Sequence, residues 1–133
     1  MSEDFVSYDL AVRLKAAGFD EPCRYYHSPK GILRPAKDNA LSPEALNNRF
    51  LDEIADGVCT AVPLWQAQKW LREQCGFQCQ VLLNGVRSMF FWQVREMIGN
   101  GRYADSTHQY DVYEDAMSDS IAAALELIEK KGE

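Results

Sequence analysis

No stretch of this chain concentrates positive charge, no apolar run approaches the ~20 residues that cross a bilayer, and only two histidines are present. Each shortage removes a class of function. Residues 1–37 carry six Lys and Arg against five Asp and Glu, whereas residues 101–133 carry three against eight within a total of −6. An acidic C-terminal third repels a phosphate backbone, so duplex nucleic acid is not expected as a partner. The acidic start, Met1-Ser2-Glu3-Asp4, lacks the basic and apolar regions of a signal peptide, and a cytoplasmic location with no membrane contact is expected. Nucleophile-elbow, H-E-x-x-H and Walker sequences are also missing, which leaves enzymes without a motif to stand on.

Cysteine is scarce in a different sense, because four are present without the C-x2-C spacing of a zinc site. Cys23-x3-His27 and Cys75-x3-Cys79 supply ligands of suitable type. On a strand, however, positions i and i+4 lie about 13 Å apart, too far for one ion. Cys23, Cys59, Cys75 and Cys79 are therefore expected as reduced, structural thiols, and no metal or cofactor is expected.

The 133 residues are 47% hydrophobic and 11% aromatic, enough apolar surface to offset chain entropy and build a core without staples. A single domain is expected over 1–133. Ser7 reads as an N-cap, Leu10, Ala11, Leu14 and Ala17 recur at helical spacing, and Gly18 suits the left-handed position after the helix, with Phe19 following. Cys23 to His27 and Ile32 to Arg34 flank Ser28-Pro29-Lys30-Gly31, a turn sequence, and read as a hairpin. Ser42-Pro43-Glu44 opens a short helix with Leu46, Phe50 and Ile54 on one stripe, an inserted helix over 42–56. Pro63 opens the next, with Leu64, Ala67 and Leu71 on one face and Gly76-Phe77 closing it.

Phe77, Cys79, Val81 and Leu83 then alternate with Gln78 and Gln80, Asn84-Gly85 is a strong two-residue hairpin signal, and Met89 to Ile98 forms the return strand. Its alternation puts Phe90, Trp92 and Val94 on one face and Met89, Phe91, Gln93, Arg95 and Met97 on the other. Gly99 through Gln109 reads as loop. Asp111 and Glu114 resemble a capping box ahead of a last helix whose stripe is Tyr113, Met117, Ile121, Ala124, Leu125 and Ile128. The fold class expected is α+β: an antiparallel sheet built from two hairpins with helices packed mainly on one face, each half repeating helix, Gly-Phe, cysteine and two strands as an α-β-β pseudo-repeat.

Phe5-Val6-Ser7-Tyr8-Asp9-Leu10-Ala11 with Leu14 through Phe19, Cys23, Tyr25-Tyr26, Trp70-Leu71-Arg72-Glu73, Tyr113-Glu114-Asp115-Ala116 and Ala122-Ala123-Ala124-Leu125 together resemble small uncharacterised proteins encoded by bacteriophages and mobile elements. The stretch from Ala36 to Gly57 departs from their pattern. The resemblance implies an accessory protein that blocks a host pathway by binding, a counter-defence role, and it transfers no catalytic residue.

For chemistry, His27 and His108 are the available histidine bases, and His108 lies in sequence beside Ser106, Asp105 and Asp111. That neighbourhood admits a small enzyme acting on a phosphorylated metabolite. Asp111, Glu114, Asp115 and Asp119 suit the dipole at a helix start better than a metal. Binding has more to work with. Aromatic rings stack bases or fill partner pockets, and arginines hold phosphates, with Arg34, Arg87, Arg95 and Arg102 on hand. The ligand-binding surface is placed at Tyr26, Trp92, Arg95, Arg102 and Tyr103, facing a host protein or a small anionic nucleotide. The Gly99-Asn100-Gly101-Arg102 loop offers backbone N–H groups to an anion. Apolar groups on both faces of the return strand, with the Leu46, Phe50, Ile54 stripe, lead to an expected homodimer.

Overall fold

The computed structural model describes residues 4–35, 47–48, 51, 57–85, 88–99 and 101–131. The fold class is α+β, with two antiparallel three-stranded sheets where the sequence predicts one. The chain divides into two compact units, Met1–Pro63 and Leu64–Glu133.

In the first unit, helix α1 (Tyr8–Ala16) begins where Ser7 Oγ accepts the Leu10 N–H at 3.2 Å. It ends in the motif the sequence predicts. Gly18 takes φ +104°, its N–H reaches Lys15 O, and Phe19 N–H reaches Leu14 O at 2.9 Å, so two terminal carbonyls find donors in one turn. Strands β1 (Tyr25–His27) and β2 (Leu33–Pro35) form the expected hairpin, with His27 opposite Leu33. Strand β3 (Cys59–Ala61) adds to the free side of β1, setting His27 opposite Cys59 and Tyr26 opposite Thr60. Val6 N–H then bonds Val62 O at 2.8 Å, and this ties the chain start beside β3. The helix predicted over 42–56 lies almost wholly outside the described residues. Asn48 is described and buried, and its amide donates to Phe19 O while its carbonyl accepts Thr60 N–H.

In the second unit, α2 (Leu64–Trp70) follows Pro63 and widens into a π-helical turn, Leu71–Cys75. Gly76 closes it at φ +76° by donating to Leu71 O. Strands β4 (Phe77–Asn84), β5 (Met89–Glu96) and β6 (Tyr103–Asp105) run antiparallel in that order, and α3 (Tyr113–Lys131) packs on β4 and β5. Asn84 pairs with Met89, so Gly85 to Ser88 make the connection. The two-residue Asn84-Gly85 turn is therefore replaced by a longer one, in which Ser88 takes φ +55°.

Three expectations for this unit are corrected. The loop predicted from Gly99 to Gln109 contains β6, whose three residues are too few to show a period of two. The Asp111–Glu114 capping box does not form, because Val112 O accepts the Ala116 N–H and so occupies the cap position, one residue beyond Asp111. Tyr113 is exposed rather than part of the buried stripe, although its ring meets Phe90 edge-on at 5.7 Å. Met117, Ile121, Ala124 and Leu125 are buried as the stripe predicts. The proposed repeat is loose: the first Gly-Phe ends an α-helix well before β1, whereas the second ends a π turn and Phe77 is itself the first residue of β4.

Candidate functional site: the open face of the second sheet

Cys79 Sγ points at Ser120 O of α3 at 3.8 Å, which fixes the helix side of the sheet. Cross-strand register then assigns every other side chain. Cys79, Val94 and Ala104 lie on the helix side, as do Val81 with Trp92 and Leu83 with Phe90. The opposite face carries Gln78, Arg95 and Tyr103 in one row, Gln80, Gln93 and Asp105 in the next, then Leu82 with Phe91, and Asn84 with Met89. None of these ten is buried. Tyr103 is 65% exposed.

The first row is ordered by charge. The Arg95 guanidinium lies 5.2 Å from the centre of the Tyr103 ring and donates to Asp105 Oδ1 at 2.9 Å. It also reaches the carbonyls of Val94 and Ala104. A ring held against a cation spends little rotamer freedom when something binds its other side. Arg95 is already answered by a carboxylate, however, so the face is close to neutral rather than phosphate-seeking.

Of the five residues assigned to a binding surface, only Arg95 and Tyr103 come together. Trp92 is 9% exposed on the helix side, and its indole N–H donates to Tyr110 Oη, which in turn donates to Asp119 of α3. Burial first, and then the bond to Asp119, raise the Tyr110 phenol above its usual range. Arg102 is withdrawn differently. It holds Glu96 through Nε and Nη2, each at 3.1 Å, donates from Nη1 to Leu127 O near the end of α3, and covers the Phe77 ring. The bond to Glu96 holds its guanidinium still more firmly protonated. Arg102 N–H also bonds Glu96 Oε1, and Gly99 approaches the same carboxylate so closely that a Cβ would stand 3.2 Å from Oε2. One backbone N–H expected to be offered to an anion, that of Arg102, is thus spent on the protein's own Glu96. Tyr26 belongs to the first unit, where it packs on Leu51 and Val58.

None of the ten positions of this face is a histidine or a cysteine. His27 is 6% exposed and lies edge-on to Tyr8 at 5.6 Å; the backbone of Gly31 and Val6 lies near its ring, but no group among the described residues meets full hydrogen-bond geometry at either ring nitrogen. Burial lowers its pKa, with the backbone of Gly31 and Val6 pulling it part of the way back. His108 is exposed between β6 and α3, its ring 4.5 Å from that of Tyr110 and its Nδ1 3.4 Å from Thr107 Oγ1. All four cysteines are free. Burial pushes the Cys59 thiol up to about 11 and the Cys79 thiol up to about 12, so neither is a thiolate near neutrality. Among the described residues, no group of three or more His, Cys, Asp or Glu could hold a metal ion, and no helix is long and apolar enough to cross a membrane.

Sequence reasoning put Gln93 on the face of Arg95 but left it, with Gln78 and Asp105, out of the binding surface. Period-two alternation along β4 and β5 carried that signal for the first two; Asp105 needed β6. Comparison with protein-family models, with curated proteins and with solved structures gives no match.

Proposed function

We propose that this chain is a phage or mobile-element accessory protein that acts in the host cytoplasm by stoichiometric binding, and that it captures a host protein on the open face of the second sheet. The observation that carries this reading is the makeup of that face. Tyr103, Arg95, Phe91 and Met89 are residue types enriched where proteins meet, and of the types depleted there only Asp105, held by Arg95, is among its ten positions. The Arg95–Asp105 pair leaves it without net charge. A neutral sheet surface with a half-fixed aromatic suits a protein partner better than a phosphorylated ligand. The resemblance of the helical segments to phage and mobile-element proteins supports the setting.

Affinity capture from a bacterial lysate with the full chain as bait tests it, read by quantitative mass spectrometry. A host protein retained by the wild type, lost with Tyr103→Ala and kept with Trp65→Ala is expected, since Trp65 is equally an exposed aromatic but lies on α2. A nucleotide retained in place of a protein, or turnover of a phosphorylated metabolite that depends on His108, contradicts it.

A further inference from the structure

The outer edge of β4 is half open. Glu96 N–H bonds Arg102 O and Ser106 N–H bonds Trp92 O, so even-numbered residues of β5 turn toward β6 and odd-numbered ones toward β4. By register, the even residues of β4 bond β5, and Phe77, Cys79, Val81 and Leu83 aim their backbone groups away from the sheet. Cys79 O is taken by Gln68 Nε2 at 2.7 Å. The outward N–H and C=O groups of Val81 and Leu83 have no partner among the described residues. Leu83 is 60% exposed. Natural edge strands are blunted by lysine, proline or inward charge, and Phe77–Asn84 contains no proline and no charged residue.

We infer that the chain forms a two-fold dimer by antiparallel pairing of β4 with β4 of a second copy, the axis passing through Leu82. The register follows from the open groups. Centring on Leu82 sets Val81 of one copy opposite Leu83 of the other, and those two residues then exchange the backbone bonds that the monomer leaves unused. Any other centre wastes one of them or competes with Gln68 for Cys79 O. The side chains agree with this alignment. Leu82 meets its own copy with Phe91 beside it on each side, and Gln80 faces Asn84, a neutral amide pair. An edge that matches itself about one axis fits a second copy better than an arbitrary strand, and closed two-fold symmetry prevents growth into a filament. The two sheets merge, and the two open faces lie side by side. This dimer does not rest on the partner proposed above, since the isolated chain is enough to form it.

Sedimentation of the full chain tests it. At about 100 µM the wild type is expected at twice the 15.1 kDa chain mass. Leu82→Lys places like charges together on the axis and is expected to raise the dissociation constant at least about tenfold, with the circular dichroism spectrum unchanged. Register is read separately in a Cys75→Ser background, where Leu82→Cys should give a disulfide-linked dimer on mild oxidation, because non-bonded antiparallel neighbours stand about 4.5 Å apart at Cα. Gln80→Cys should not, since its neighbour is Asn84. Should Leu82→Lys unfold the chain, this neutral cysteine pair decides. A monomer at that concentration, a Leu82→Lys dimer as tight as the wild type, or Gln80→Cys linking as readily as Leu82→Cys overturns the proposal.

Discussion

The two faces of the second sheet draw on similar residues and put them to opposite uses. Toward α3, Trp92 and Phe90 sit among Cys79, Val94 and the helix stripe, and the indole N–H is answered by Tyr110. Away from α3, Phe91 and Tyr103 stand among glutamines and an Arg–Asp pair, and none of that face is buried. The same contrast holds for the arginines. Arg102 joins the sheet to the end of α3 through Glu96 and Leu127, whereas Arg95 stays on the outer surface beside Tyr103. An aromatic or an arginine becomes a candidate for binding through the face it occupies, and residue type alone says little.

The largest effect that sharpens this contrast comes from emptying the helix side. Trp92→Ala removes a buried indole and orphans Tyr110 Oη as an acceptor, and chemical denaturation should show a loss of about 3 to 5 kcal/mol. An unchanged midpoint would mean that the two faces do not differ as described.

A smaller, pH-dependent effect belongs to the first unit, where His27 and Tyr26 occupy opposite faces of β1. The His27 pKa is lowered from 6.5 in the folded state, so below that value the unfolded chain binds the proton more readily. Stability should thus be full above pH 6.5 and decline as pH falls below it, levelling off beneath the folded-state value. Denaturation series at several pH values should show a shallower acid decline in His27→Phe than in the wild type. Equal slopes would remove His27 as a cause.

The smallest effect is expected on the open face. Tyr103→Ala should shift stability by no more than about 0.5 kcal/mol, as for ordinary surface positions, while abolishing partner capture. A loss as large as that of Trp92→Ala would make Tyr103 a structural residue.

Much of this fold is legible in the sequence where signals are local. Ser7 and Gly18 mark the ends of α1, the glutamine alternation marks β4, and the stripe from Met117 to Leu125 marks α3. Strands β3 and β6 are not legible: three residues carry no period, β3 pairs with β1 more than thirty residues back, and β6 pairs with the nearby β5 from within a polar stretch that reads as loop. The site is legible in part. Trp92 and Arg95 are three apart on one strand and so face opposite ways, which already separates them. That α3 covers the Trp92 side is a tertiary fact, as is the closure of Arg102 onto Glu96 across the Gly99–Gly101 turn.

The most direct measurement places a photoreactive benzoylphenylalanine at Gln93, in the middle of the open face, and separately at Trp65, which is 58% exposed on α2. Both proteins are irradiated in host lysate. A covalent adduct with one host protein from position 93, and none from position 65, is the result expected of a protein that binds through this face. An adduct from position 65 alone, or from neither, contradicts it.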